Sequence, residues 1–197
     1  MGWWPFNGDA EDESVNTNDG TIVGATLTTD RNSIPSAAFV FDGLNDKITV
    51  PGLNASTGDQ LSISVWVNPA NITTYTYYEI IRQDNGFTGS PDFLLSFQNN
   101  GALLAYGIGA GTYSELDVPI TASSYVGTWH HIVAVYNGTN RFIYKDAVLI
   151  GTGAKTGTMN FTATACNFGS SLSSEYFNGK IDDIGIWNRA LTEMEIS

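Results

Sequence analysis

The chain has a single cysteine, Cys166, in 197 residues. One cysteine closes no internal disulfide, so a disulfide-stapled scaffold is excluded, and Cys166 reads as a small buried residue rather than a reactive thiol. Positive charge is equally scarce. Eight Lys and Arg stand against twenty Asp and Glu, giving a net charge of −12. Binding phosphates takes clustered Lys and Arg, so nucleic acid is excluded as a partner, and an anionic membrane surface is disfavoured for the same reason. No run reaches the roughly 18 apolar residues of a membrane span, so no membrane insertion is expected. A long stretch of 3.6-residue period, an internal repeat, a Pro-rich linker and a low-complexity tract are all missing. So are the Gly-x-Ser-x-Gly elbow and the His-Glu-x-x-His helix of hydrolases. The two histidines, His130 and His131, are adjacent and point to opposite faces of a strand. No signal peptide is visible. Met1-Gly2-Trp3-Trp4 enters strand-like sequence at once, which reads as the opening of one module cut from a longer chain.

What the chain does have is apolar alternation and turns. Hydrophobic residues make up 42% and charged residues only 14%, with 21 glycines. That suits a β-rich secreted module better than a helical cytosolic enzyme. Period-two runs recur at Ala37–Phe41, Lys47–Val50, Leu61–Val67, Tyr77–Arg82, Phe93–Phe97, Leu103–Ile108, His130–Tyr136, Arg141–Lys145, Ala147–Ile150 and Lys180–Trp187. Each reads as a half-buried strand. Asp42-Gly43, Asn99-Asn100-Gly101, Asn137-Gly138 and Lys145-Asp146 break them with residues that tolerate positive φ. The plainest local unit is a hairpin of Trp129–Tyr136 and Arg141–Ile150, turning at Asn137–Asn140. Residues 7–34 read as a long polar surface loop, and the tail Ala190–Ile196 as a short helix capped by Thr192. The expectation is one all-β domain over residues 1–197, folded as a two-sheet antiparallel β-sandwich. Both faces of Leu61–Val67 and of Trp129–Tyr136 carry apolar residues, so Trp66 and Trp129 are expected in the core.

The segments Trp4-Pro-Phe-Asn-Gly-Asp-Ala-Glu-Asp-Glu-Ser, Asn16-Thr-Asn-Asp-Gly20, Ala38-Phe-Val-Phe-Asp-Gly-Leu-Asn-Asp46, Leu61-Ser-Ile-Ser-Val-Trp-Val-Asn-Pro69, Gly127-Thr-Trp-His-His-Ile-Val-Ala134 and Phe177-Asn-Gly-Lys-Ile-Asp-Asp-Ile-Gly-Ile-Trp-Asn-Arg-Ala-Leu-Thr192 occur in that order. The chain thereby resembles, over essentially its whole length, the LamG-like jelly-roll family of laminin G, pentraxin and concanavalin A-like domains. The resemblance implies a concanavalin A-like jelly roll. It does not choose among lectins, adhesion modules and glycoside hydrolases, which share that fold.

Three functional readings follow. Hydrolases of this fold carry Glu-x-Asp-x-x-Glu on one strand, and no such run exists; Glu115-Leu-Asp117 is the nearest pair. An enzyme is therefore not expected, and a cryptic polysaccharide hydrolase or lyase is the second alternative. The surplus of carboxylates suits calcium, which takes six to eight oxygens, or else serves solubility alone. The family resemblance implies a structural calcium near the first loop and the terminal strands, carried here onto Asp12, Asn18, Asp42 and Asp182. The competing roles are a turn-capping Asp12, a hairpin-turn Asp42, and a salt bridge from Asp182 to Arg31 or Arg189. For carbohydrate, aromatic faces stack on sugar rings, and the chain has five Trp, nine Tyr and ten Phe. Tyr78, Arg82 and Tyr106 are the expected sugar contacts. The leading expectation is a non-catalytic, extracellular or cell-surface module that binds a glycan or polysaccharide. A protein–protein adhesion module is the first alternative. Asn-x-Ser/Thr triplets at Asn54, Asn71, Asn137 and Asn160 matter only where secreted proteins are glycosylated.

Overall fold

A computed structural model describes residues 1–53, 59–85, 90–163, 165–171 and 174–197. Along the chain run β1 (Gly2–Trp4), β2 (Thr21–Val23), β3 (Thr26–Thr28), β4 (Ala38–Asp42), β5 (Lys47–Pro51), β6 (Leu61–Pro69), β7 (Tyr77–Asp84), β8 (Pro91–Gln98), β9 (Leu103–Ile108), β10 (Ser114–Pro119), β11 (His130–Tyr136), β12 (Asn140–Lys145), β13 (Val148–Ala154), β14 (Ala165–Phe168) and β15 (Asn178–Trp187). A one-turn helix, α1 (Glu193–Ile196), ends the chain, and Glu195 accepts the Thr192 amide at 2.9 Å as the sequence pattern predicts.

The strands form two antiparallel sheets. One has eight strands in the order β13-β12-β11-β6-β15-β4-β3, with β1 also on β15. The other has seven, ordered β10-β9-β8-β7-β14-β5-β2. Alternation sets the layers. Leu61, Ile63, Val65 and Val67 of β6 face inward at 0% exposure, and Phe93, Leu95 and Phe97 of β8 do the same from the other sheet. Trp4 closes the core edge-on against Phe168, with ring centroids 4.9 Å apart. The expected hairpin is present: Asn137 Oδ1 accepts the amides of Thr139 and Asn140, turning β11 into β12.

Residues 7–34 are not one loop. They contain β2 and β3, one for each sheet. The remainder winds around Asp12, which takes four hydrogen bonds. Oδ1 accepts the Trp3 and Ser14 amides and Oδ2 accepts the Asn18 amide, each at 2.9 Å, and Oδ2 also takes the Asn18 side chain at 3.1 Å.

On β15 the register slips between Asp182 and Gly185, where Asp183 sits at φ 48°. This bulge re-phases the strand. Ile181 and Ile184 both face the core, while Asp182, paired with Trp66, faces outward. It also separates the two neighbours on that edge: β4 pairs with residues 178–181 and β1 with residues 184–186.

Candidate functional site

The outer face of the eight-stranded sheet carries a tryptophan cradle. One row across the sheet runs Trp3, Gly185, Ser64, Val133 in register. Trp66 lies two residues along β6 in one direction, and Trp187, opposite Ser62, lies two residues in the other. The two tryptophans are thus anchored about 13 Å apart along the strand. Gly185 and Ser64 make a floor of small residues, and Trp3, Trp66, Trp187 and Asp183 wall a cleft of about 480 Å³. The floor needs its glycine. The six-membered ring of Trp187 lies over Gly185, and a Cβ there would meet Trp187 Cη2 at 2.2 Å. Trp3 is 44% exposed, so much of its ring is open to a ligand.

The walls are braced. Trp66 stands between strands β11 and β15, with His131 stacked against it at 5.1 Å and 16° and the Arg31 guanidinium 4.6 Å from its ring centre. His131 shares a 2.7 Å hydrogen bond with Ser64 Oγ, and burial holds its pKa below the ordinary imidazole value. Arg31 forks onto Asp182 at 2.5 Å and Asp183 at 2.6 Å. Burial, then the neighbouring Asp183, push the Asp182 carboxyl up to about 7 against the pull of Arg31. With both acids ionised, one positive and two negative charges leave the cradle at −1. The tail forms the adjoining border: Ala190, Leu191 and Ile196 cover Val133, Val135 and Tyr144 beside it.

The residues named for sugar from sequence do not gather here. Tyr78 is 1% exposed, and its hydroxyl accepts the amides of Thr74 and Tyr75 at 2.9 and 2.8 Å. Tyr106 is fully buried between the sheets. Neither ring can meet a sugar; pairing phase turns both inward although their flanks are polar. Arg82 spends its guanidinium on Glu79, Asp84 and Glu175. Trp66, expected in the core, instead faces outward, and Trp129 sits half-buried just before β11.

Of the four residues named for calcium, Asp12 and Asn18 bond each other, while Asp42 and Asp182 are held elsewhere. Asp12 caps the first loop, and Asn18 donates to it while its carbonyl accepts the Trp4 indole at 3.0 Å. Asp42 accepts the amides of Leu44 and Asn45 in an exposed turn. Asp182 holds Arg31. Among the described residues no group of three or more His, Cys, Asp or Glu is placed to hold a metal ion. Glu115 and Asp117 do share one face of β10. Tyr113 donates to Glu115 Oε1 at 2.5 Å and Gln98 to Oε2 at 3.1 Å. The Asn54 triplet lies outside the described residues.

A family model described as the concanavalin A-like lectin/glucanases superfamily matches residues 41–197. The chain belongs to that superfamily. No curated protein matches it in sequence. Among solved structures, domain 4 of AbnA, a GH43 extracellular arabinanase from Geobacillus stearothermophilus in complex with arabinotriose, superposes with a TM-score of 0.73 at 21% identity, over 99% of this chain and 95% of that one. The botulinum neurotoxin serotype D binding domain superposes with a TM-score of 0.76 at 16% identity, over the whole of this chain but 50% of that one. The binding domain of Paraclostridial Mosquitocidal Protein 1 gives 0.69 at 17% identity, over 94% and 48%. At these identities the likeness concerns the fold. In this member of the superfamily the cradle is assembled by strand pairing rather than by any local motif. Trp3, Trp66 and Trp187 are far apart in the chain, and only the pairing of β1 and β6 with β15 brings them together.

Proposed function

We propose that this chain is a non-catalytic carbohydrate-binding module, from an extracellular or cell-surface protein, that holds a neutral glycan in the tryptophan cradle. The observation that carries the reading is the arrangement of Trp3, Trp66 and Trp187 around the Gly185–Ser64 floor. Trp3 turns an open indole face to the C–H face of a sugar ring, Trp187 lines the cleft beside it, Trp66, held between His131 and Arg31, lends an edge, and Asp183 and Ser64 offer hydroxyl partners at the wall and floor. The neighbouring folds include a domain solved with arabinotriose, which supports the class of ligand without naming it. The cradle contains no uncompensated cation, so neutral sugars suit it better than acidic ones. A calcium ion has no part in this reading, because the carboxylates named for it are committed to N–H donors and to Arg31.

The test is retention on insoluble neutral polysaccharides (arabinan, xylan, cellulose), with Trp3→Ala and Trp187→Ala beside the parent. Binding should weaken at least tenfold in each variant while the melting temperature of Trp3→Ala stays close to the parent value. Binding that both variants keep in full would overturn the cradle. A saturable protein partner that none of these sugars displaces would move the reading to adhesion.

A further inference from the structure

A second aromatic cleft lies away from the cradle, at one end of the sandwich. Its volume is about 330 Å³, the lower end of the range for ligand pockets. Three segments wall it: the turn after β4 with Gly43 and Leu44, the entry to β7 with Tyr75 and Tyr77, and the segment before β15 with Glu175 and Tyr176. The cleft therefore bridges the two sheets at the ends of interior strands, β4 and β15 of one and β7 of the other, and shares no residue with the tryptophan cradle.

Each wall is fixed in place without a ligand. The Tyr78 hydroxyl accepts the Thr74 and Tyr75 amides, and the Tyr75 and Tyr78 rings lie 6.0 Å apart. This holds Tyr75 outward at 54% exposure, with Tyr77 beside it at 42%. Glu175 sits at φ 58°, in the sparsely populated left-handed region. Its backbone carbonyl accepts the Glu79 amide at 3.0 Å, and its carboxylate takes Arg82 at 2.9 Å. Gly43 is at φ 78°, and a Cβ there would meet Asn178 at 2.8 Å. A preformed site of this kind loses little freedom when it binds. Backbone strain held by surrounding bonds is itself a mark of functional sites.

The lining chemistry selects the occupant. Tyrosine rings offer flat C–H-binding faces with hydroxyls at their tips. Ser174, Thr76 and Glu175 add hydrogen-bonding groups among them, and among the described residues no Lys or Arg lines the cleft. An anion finds no counter-charge there, and a purely apolar ligand would cover the tyrosine hydroxyls and the Ser174 and Thr76 side chains without offering them a hydrogen bond. A neutral sugar ring satisfies both faces and hydroxyls.

We infer that the Tyr75–Tyr77–Tyr176 cleft is a second saccharide subsite, separate from the cradle, so that one molecule takes two sugar ligands. The inference rests on the reading of the chain as a glycan binder, but not on the cradle's residues. The experiment is an amide chemical-shift titration of the uniformly 15N-labelled chain with arabinotriose, xylotriose and cellotriose at millimolar concentration, repeated on Tyr77→Ala and Trp3→Ala. Two separate groups of amides should move: one around residues 75–77 and 174–176, the other around residues 3, 64 and 185. Tyr77→Ala should abolish the first and spare the second, and Trp3→Ala the reverse. Tyr77 is exposed and outside the core, so its truncation leaves the fold standing for the comparison. Shifts confined to the cradle overturn the second subsite and leave the proposed function intact. Shifts confined to the cleft support the subsite and overturn the cradle. No shift with any of the three sugars overturns both.

Discussion

Glu79 sits where a carboxylate is hard to ionise. It is 1% exposed, on β7, with Oε1 on Arg82 at 3.1 Å and Oε2 without a hydrogen-bond partner among the described residues. Arg82 is shared with Asp84 and Glu175. Burial pushes the Glu79 carboxyl up to about 8; Arg82 opposes the rise, while Glu175 and Glu115 add to it. The folded chain therefore keeps a proton that the unfolded chain releases near 4.5. The stability tied to that proton is complete below about pH 4.5 and is lost as pH rises through about 8. Asp182, raised to about 7, acts in the same direction. Asp12 acts oppositely: burial works against its ionisation, but the Trp3, Asn18 and Ser14 hydrogen bonds outweigh it and hold its pKa below 3.8, so its stability is lost only in acid. The melting temperature should fall by about 10 °C or more between pH 5 and pH 8.5. Glu79→Gln, which keeps the shape without the charge, should remove most of that fall, leaving the part due to Asp182. Equal slopes in parent and variant, read by calorimetry, would show that Glu79 does not carry the effect.

The bulge on β15 shows what sequence reading can and cannot recover at the scale of elements. The alternating runs became β4, β5, β6, β7, β8, β9, β11, β12, β13 and β15, because apolar period-two patterning dictates a half-buried strand where it lasts four residues or more. The three-residue strands β1, β2 and β3 carry too little pattern, as does β14. β10, half of it polar, is held at a sheet edge by pairing with β9. Strict alternation places Asp182 on the face of Ile184 and Ile186. One inserted residue, Asp183, moves it to the face of Trp66 and gives it to Arg31. The sequence raised that salt bridge as one role for Asp182, but the alternation needed to place it was broken at the site itself. The bulge, its ion pair and the cradle wall are one unit. Arg31→Ala should therefore cost about 2–3 kcal/mol near pH 8 by stranding Asp182 and Asp183 together. The loss should shrink at pH 5, where Asp182 is protonated, as its pKa of about 7 requires. Urea denaturation at both pH values measures this, and a loss independent of pH would mean that Arg31 acts through packing on Trp66 alone.

At the scale of the whole molecule, the charge of −12 and the two aromatic clefts point to one kind of surface chemistry. The long-range field repels anions, and neither cleft presents a free cation: Arg31 in the cradle is matched by two carboxylates, and the tyrosine cleft is lined by none. Attraction through stacked rings and hydroxyl hydrogen bonds acts at contact, well inside the Debye length of about 8 Å at physiological salt. Affinity for a neutral polysaccharide should accordingly change by less than about twofold as sodium chloride rises to roughly 0.5 M, whereas a charge-driven contact would weaken steeply. Heparin and polygalacturonate should fail to compete at physiological salt, because their anionic groups meet the same-sign field before any ring can stack. Affinity electrophoresis in gels carrying each polysaccharide, run across that salt range, separates the cases. Retardation by heparin comparable to that by arabinan, and lost as salt rises, would show that charge rather than the aromatic surface governs what this chain holds.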